Sequence, residues 1–272
     1  MKLRSQFLLM CLAVLGPSIL QADVTLPSVV GDHMVLQQGM SAPIWGWADK
    51  GEKVTVTFAG QTKTATADDN GRWQVELDAL KANKEGQTLS VTGNNTIELK
   101  DVLVGEVWIC SGQSNMEWSV SRSANPQEEI AAADHPQIRM FNVPGHTFSP
   151  VKKDKGPGQW QTCSPQTIGG FSAVGYYFGR RLQKDLDVPI GLVGSNWGGT
   201  RIEPWCSPES FSKVDELKDI ADKVAKYDEN TKLNHQQPSA IYNSMVHPLV
   251  PYAMRGAIWY QGESNGGEGM SY

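Results

Sequence analysis

The stretch Val104-Gly-Glu-Val-Trp-Ile-Cys-Ser-Gly-Gln-Ser-Asn-Met116 decides the fold. Its first part is a mostly apolar run, which ends in the polar cluster Ser111-Gly-Gln-Ser-Asn115. The run leaves little polar surface and is typical of a strand that is buried on both faces. Gly112 then allows the backbone to turn tightly. A serine on such a turn at the mouth of a sheet, here Ser114, is well placed to act as a nucleophile. The same residue types are also typical of a helix cap, so both interpretations stay open at this point.

Two strands predicted later in the chain end in similar clusters. Residues 190–194 run into Ser195-Asn-Trp-Gly-Gly-Thr200, and residues 255–260 run into Gln261-Gly-Glu-Ser-Asn265. Strands that alternate with helices indicate a parallel sheet, and ligands bind such sheets beyond the carboxyl ends of the strands. We therefore expect the three clusters to converge on one site.

The segments between these strands carry the helical patterns. Residues 171–182 place four apolar side chains on one helical face, and Pro189 stops that helix. Further helices are predicted at residues 124–133, 213–228 and 239–249, and a further strand at residues 137–143. The helix over residues 213–228 is highly charged and is interpreted as a solvated face, with a lid as the alternative.

The N-terminal region predicts export and a separate β-rich domain. Lys2 and Arg4 precede an apolar run, and Ala22 suits cleavage, so residues 1–22 are predicted to be a signal peptide. We therefore expect a secreted or periplasmic protein without a membrane anchor. Short alternating strands and recurrent turns predict a small all-β sandwich domain over residues 23–100. Its tryptophans are expected in the core, with sugar stacking by Trp45 or Trp47 as the alternative.

Charge and cysteine content narrow the function classes. The net charge of −5 argues against nucleic acid and anionic membranes as partners. Beyond the predicted signal peptide, three cysteines do not make a disulfide framework. Cys110 is expected to be an inert core thiol, and a pair between Cys163 and Cys206 is left open. No set of residues has metal-ligand spacing, so neither a metal nor another cofactor is expected.

The three clusters contain the groups that acyl transfer requires. A serine nucleophile needs a base for its proton and donors for the oxyanion. Backbone N–H groups of Ser114 and of Gly198 or Gly199 suit the donor role, as does the Gln261 amide. Glu263 suits the orientation of a histidine or a contact with substrate. The alternatives are tight turns at the glycines, and a cap or an ion pair with Arg201 for Glu263.

These clusters also carry a family resemblance. Gly112-Gln-Ser-Asn115, Trp197-Gly-Gly-Thr200 with Glu203-Pro-Trp205, and Trp259-Tyr-Gln-Gly-Glu-Ser-Asn265 resemble three sequence blocks of the SGNH-type carbohydrate esterases. Together with residues 171–175 and 242–245 they resemble the sialate O-acetylesterase group. Met116 stands where a Gly-x-Ser-x-Gly elbow would have its last glycine, so a lipase-type hydrolase is disfavoured.

The resemblance implies a fold and an activity. The fold is α/β, with a three-layer SGNH-hydrolase-like parallel sheet over residues 101–272 that is incomplete at its C-terminus. The activity is that of a serine esterase that removes O-acetyl groups from sialic acid or related acetylated sugars. The resemblance also implies catalytic roles for Ser114, Gly199, Gln261 and Glu263. Substrate contacts are assigned to Gln113, Asn115, Trp197, Gly198 and Asn265.

The catalytic histidine of this family lies in a late Asp-x-x-His segment, which does not occur before Tyr272. His33 and His146 lie outside the expected region, His135 directly follows Asp134, His235 is assigned to a polar loop, and His247 to a helix end. We therefore interpret the chain as a fragment of an esterase that lacks its base. An acetylxylan-type esterase and a carbohydrate-binding protein without catalysis are the alternatives.

Overall fold

The computed structural model describes residues 23–268, so the predicted signal peptide at residues 1–22 lies outside the described residues. Eleven strands are present in this part of the chain: β1 (Val35–Gln37), β2 (Ala42–Trp47), β3 (Lys53–Phe58), β4 (Gln61–Thr66), β5 (Arg72–Leu77), β6 (Asn83–Thr92), β7 (Thr96–Gly112), β8 (His135–Asn142), β9 (Trp160–Cys163), β10 (Ile190–Asn196) and β11 (Gly256–Tyr260). The α-helices within the same residues are α1 (Ser114–Glu117), α2 (Pro126–Ala131), α3 (Ala173–Leu186), α4 (Pro208–Phe211) and α5 (Lys218–Val224).

Strand β7 connects the β-rich N-terminal region to the α/β region. Its first half pairs with antiparallel β6, and β1 runs parallel to it across Leu103–Gly105. Its second half lies between β10 and β11 and is parallel to both. The main path of the described sheet is β4-β3-β6-β7-β10-β8-β9, and β2 and β5 form a separate antiparallel pair. The result is a mixed α/β fold whose sheet is antiparallel at one end and mostly parallel at the other.

Strand β7 is one continuous strand of 17 residues. Asp101 interrupts the local pattern with a φ of 56°. Its carboxylate accepts from His33 at 2.7 Å and pairs with Arg139 at 2.7 Å, so residues distant in sequence hold the strand through this point. The predicted boundary between residues 100 and 101 falls inside β7, and the division into two domains stays a prediction.

The parallel strands place the three polar clusters at one edge of the sheet. In the register of the sheet, Asn196 of β10 and Tyr260 of β11 both lie opposite Gly112 of β7. The clusters that follow these strands therefore start level with one another. The predicted convergence of the three strand ends is confirmed.

Helix α3 confirms the predicted helix before Pro189, and Ser172 caps it by accepting from the Gly175 N–H at 3.1 Å. Two other helix predictions are wrong in extent or type. The charged helix shortens to α5, because Val224 is its only buried residue and it has little apolar surface to bury. Residues 242–249 form a π-helix turn and then a 3₁₀ turn.

The irregular turn over residues 242–249 has a tertiary cause. Asn243 Nδ2 donates to the carbonyls of Ser149 and Pro150 at 3.1 and 3.0 Å. Ser244 Oγ donates to the Thr147 carbonyl at 2.7 Å. These polar side chains face inward to hold a distant loop, and an amphipathic α-helix would not place them there.

The expected core position is confirmed for Trp45 and Trp73 but not for Trp47, which is half-buried. Trp45 therefore has no free face for a sugar. Burial raises the pKa of the Cys110 thiol to about 12, in accord with an inert core residue. Cys163 and Cys206 are free thiols, so they do not pair.

Strand β11 pairs with β7 and leaves Trp259 and Tyr260 42% and 47% exposed. Between residues 23 and 268, no helix combines the length and the apolar character that crossing a bilayer requires.

Gly105 provides a test of the packing around β7. A Cβ at this position would lie 1.9 Å from the Pro189 carbonyl oxygen. We expect Gly105→Ala to lower the free energy of unfolding by about 2 kcal/mol or more, because the backbone itself must move. Gly267→Ala is the control, since a Cβ there meets no atom within 4 Å. Equal denaturant midpoints for the two variants would contradict the described packing.

Candidate active site

The turn that carries Ser114 is held by backbone contacts with β11. Gly112 has a φ of 141°, and a Cβ there would lie 2.2 Å from the Tyr260 carbonyl oxygen. The Gln113 N–H donates to that same oxygen at 2.9 Å. Only glycine fits this close approach. The chain therefore leaves the sheet beside the end of β11 and enters α1.

Ser114 is the first residue of α1 and is exposed. Gln113 occupies the N-cap position of this helix, and no side chain caps it. The alternative interpretation of Ser114 as a helix cap is therefore wrong. Within residues 23–268 no hydrogen bond engages Ser114 Oγ, which leaves the hydroxyl available to a ligand.

The second cluster lies directly against Ser114. A Cβ on Gly198 would lie 3.4 Å from Ser114 Cβ. The Gly198 N–H donates to Glu117 Oε2 at 2.6 Å, so this donor is already engaged. Gly199 has a φ of 73°, and its carbonyl accepts from Gln236 Nε2 at 3.0 Å. Its N–H has no acceptor in the described part of the chain, so Gly199 is the better placed of the two glycines to bind an oxyanion.

The third cluster meets the first through side chains. Asn115 Nδ2 donates to Glu263 Oε1 at 2.5 Å. Gln113 Oε1 accepts from the N–H groups of Gly262 and Ser264, each at 3.4 Å. Gln113 is buried, so it supports the third cluster and is not exposed for the substrate contact that the sequence predicted.

A buried amide joins the second cluster to the third. Asn265 is 1% exposed, and its Oδ1 accepts from the Ile202 N–H at 3.0 Å and from Gln261 Nε2 at 2.9 Å. Gln261 Nε2 also donates to the Thr200 carbonyl at 3.3 Å. Both side chains therefore hold the two loops together. This placement differs from the predicted substrate contact of Asn265 and from the predicted oxyanion contact of Gln261.

Arg201 binds carboxylates other than Glu263. Its guanidinium pairs with Glu203 at 2.9 Å and with Glu268. The alternative of a Glu263–Arg201 ion pair is therefore wrong. Burial opposes ionisation of Glu203, but hydrogen bonds from Arg201 and Asn265 outweigh it and lower the pKa of this carboxyl.

Sequence reasoning missed a group of side chains beside Trp197. Glu117 Oε1 pairs with His146 Nε2 at 2.8 Å, and its other oxygen holds the Gly198 N–H. The rings of His146 and His235 stack on Trp197 at centroid distances of 4.8 and 4.6 Å. Glu117 follows Ser114 by three residues, which is one helical turn, so its spacing was a usable signal. No local pattern marks the two histidines.

Comparison with known proteins identifies the family. The model of the family described as "Carbohydrate esterase, sialic acid-specific acetylesterase" matches residues 104–270, which is more than half of the chain. The chain belongs to this esterase family. The matched range contains all three clusters and the strands that carry them.

The sialic acid-specific acetylesterase family is also represented among similar curated proteins. The chain is 34% identical to the sialate O-acetylesterase of Homo sapiens over 285 residues, covering 93% of this chain and 52% of that protein. It is 33% identical to the sialate O-acetylesterase of Mus musculus, covering 88% of this chain and 51% of that protein. The chain thus spans about half the length of these relatives.

A solved structure supports the fold assignment. A carbohydrate acetylesterase from Xanthomonas citri superposes with a TM-score of 0.78 at 37% sequence identity. The match covers 89% of this chain and 52% of that structure. The mixed α/β architecture described above is therefore that of a carbohydrate esterase.

Acid titration tests the network around Asn265. Because the pKa of Glu203 is lowered on folding, its contribution to stability is present above its ordinary value of 4.5 and is lost as the pH falls through the folded value. We expect Glu203→Gln to be less stable than wild type by about 1 kcal/mol at neutral pH, since the pair is partly exposed. The difference should shrink in acid.

The measurement is chemical unfolding as a function of pH. Glu216→Gln removes an exposed carboxylate and is the matched control. If the difference in unfolding free energy between wild type and Glu203→Gln stays constant or grows as the pH is lowered, Glu203 does not stabilise the network through its ionised carboxylate.

Proposed function

We propose that the protein is a serine esterase that removes O-acetyl groups from sialic acid or a related acetylated sugar. The observation that supports this most is the exposed Ser114 at the meeting point of three strand ends, with Gly198 lying against it. Membership in the sialic acid-specific acetylesterase family supports the same chemistry.

The reaction proceeds through an acyl-enzyme. Ser114 Oγ attacks the acetyl carbonyl carbon, the sugar oxygen leaves as the alcohol, and water then releases acetate from the serine ester. The N–H groups of Ser114 and Gly199 stabilise the oxyanion, because the Gly198 N–H is held by Glu117. Gln261 acts indirectly, since its amide binds the Thr200 carbonyl beside Gly199.

The proton of Ser114 must pass to a general base. Among residues 23–268, no histidine forms a hydrogen bond with Ser114 Oγ. Glu263 is exposed and binds Asn115 through one carboxylate oxygen. We assign Glu263 the task of orienting the base. This is the role of the triad acid, the carboxylate that positions the catalytic histidine, in the esterases that the chain resembles.

The proposed cellular site follows from the sequence. The pattern of residues 1–22 supports secretion or export to the periplasm, where acetylated glycans are accessible substrates. Cleavage of an acetyl ester by a serine requires no metal or organic cofactor.

The central test replaces the nucleophile. In the full-length protein, we expect Ser114→Ala to lower kcat for acetate release from O-acetylated sialic acid by about 1,000-fold or more, because no covalent intermediate can form. Ser121→Ala, an exposed serine on the segment after α1, should leave kcat unchanged. Parallel assays on acetylated xylan decide the sugar class. Full activity in Ser114→Ala would overturn the proposal.

A second test concerns the oxyanion donor. The Gly199→Ala variant introduces a side chain at a φ of 73°, but its Cβ meets no atom within 4 Å. We expect kcat to fall by about 100-fold, because the N–H shifts from the oxyanion, with a loss of stability of only about 1–2 kcal/mol. Wild-type kcat in this variant would show that the Gly199 N–H has no part in the reaction.

A further inference from the structure

Arg122 differs from every other arginine in the described part of the chain. Each of the others pairs with a carboxylate; these residues are Arg72, Arg139, Arg180, Arg181, Arg201 and Arg255. Arg122 has no carboxylate partner within residues 23–268. Its guanidinium instead lies 4.0 Å from the ring centroid of Trp118.

The backbone around Arg122 is held firmly. Trp118 Nε1 donates to the Arg122 carbonyl at 2.8 Å, which ties the stacked ring to the same residue. The Val120 N–H donates to the Phe171 carbonyl at 3.0 Å, and the Ala173 N–H donates to the Trp118 carbonyl at 2.8 Å. The guanidinium is therefore presented from an ordered segment and loses less freedom on binding a ligand than a free side chain would.

Arg122 also lines a cleft that adjoins the nucleophile. The cleft has a volume of about 330 Å³ and is bordered by Arg122, Ser119, Glu117, His146 and Asn196. This volume lies within the usual range for small-molecule sites. Glu117 is one turn after Ser114 on α1, and Asn196 lies opposite Gly112 in the sheet. The cleft therefore lies within one helical turn of the nucleophile, which is close enough for a sugar whose ester is at Ser114 to reach it.

The acidic residue in the cleft is already compensated. One oxygen of Glu117 pairs with His146 at 2.8 Å, and the other accepts the Gly198 N–H at 2.6 Å. The Arg122 guanidinium is consequently the cation left to an incoming anion. Its planar fork suits bidentate binding of a carboxylate.

We propose that Arg122 binds the carboxylate of an acidic acetylated sugar and so selects sialic acids over neutral acetylated sugars. This inference rests on the proposed function, because it assigns one end of the substrate of the same site. Sialic acid carries a carboxylate on its ring and acetylated hydroxyls on its side chain. A cation set apart from the nucleophile matches that arrangement. Acetylated xylan without uronic acid substituents presents no such group.

Direct binding tests the inference without requiring turnover. The probes are the methyl α-glycoside of N-acetylneuraminic acid and the methyl ester of that glycoside, which differ only in the charge of the carboxyl group. By titration calorimetry or ligand-observed NMR, we expect wild type to bind the acid about tenfold more tightly. Arg122→Gln should abolish this preference, and Arg122→Lys should retain part of it because the charge remains.

The control is Arg181→Gln, which removes an exposed arginine that is paired with Asp185 on α3. It should keep the wild-type preference. Equal binding of acid and ester by wild type, or an unchanged preference in Arg122→Gln, would overturn the inference. Thermal unfolding of each variant reports whether it is folded.

Acetate release separates this inference from the proposed function. If wild type releases acetate from acetylated sugars but Arg122→Gln keeps the same KM for O-acetylated sialic acid, only the role of Arg122 fails. If the full-length wild type releases none, the proposed function fails, and the binding difference still decides whether Arg122 recognises a carboxylate. With both proposals correct, Arg122→Gln raises KM for O-acetylated sialic acid about tenfold and leaves KM for acetylated xylan unchanged.

Discussion

The contact between the end of β7 and the end of β11 is the constraint on which the candidate site depends. At Gly112 the backbone of β7 approaches the Tyr260 carbonyl so closely that no side chain fits. The same carbonyl accepts the Gln113 N–H at 2.9 Å. This contact fixes the point at which the chain leaves the sheet. The position of Ser114, two residues beyond Gly112, follows from it.

Strand β7 connects this contact to the rest of the sheet. Its paired neighbours change from antiparallel β6 to parallel β10 and β11 along a single strand. The rest of the site is then assembled by polar side chains that are buried and bonded. Asn265 accepts from the Ile202 N–H at 3.0 Å, and this bond links the loops of the second and third clusters. An unpaired amide at that depth would be costly, so the bond restrains the geometry of both loops. The buried side chains that hold the loops are therefore distinct from the exposed Ser114.

This division explains why several predicted site residues are engaged with neighbouring loops. Residue type and position after a strand correctly indicated that the clusters meet, because the register of a parallel sheet aligns strand ends. They did not reveal which side chains face outward. Gln113, Asn265 and Gln261 have the chemistry of ligand-binding residues, yet their hydrogen bonds are used to hold loops. Burial decides between these roles, and burial depends on residues that are distant in sequence.

Three further features could not be predicted from local sequence patterns, because they depend on residues distant in sequence. His146 reaches the site from a loop and pairs with Glu117, 29 positions earlier in the chain. The apolar period over residues 239–249 favours a helix, but the bonds of Asn243 and Ser244 to the loop at residues 147–150 impose a π turn. The predicted domain boundary at residues 100 and 101 falls within β7, where the contacts of Asp101 with His33 and Arg139 keep the strand continuous. In each case the outcome depends on a tertiary contact between residues distant in sequence.

The central claim is that the three strand ends present Ser114 as the nucleophile of the proposed esterase. Labelling of the full-length protein with a serine-directed organophosphonate, followed by mass spectrometric mapping of the modified peptide, tests it most directly, because such probes react with a catalytic serine. We predict one label on the peptide that contains Ser114 and its loss in Ser114→Ala. A label on a different serine, or acetate release that persists while Ser114 stays unlabelled, would contradict the account.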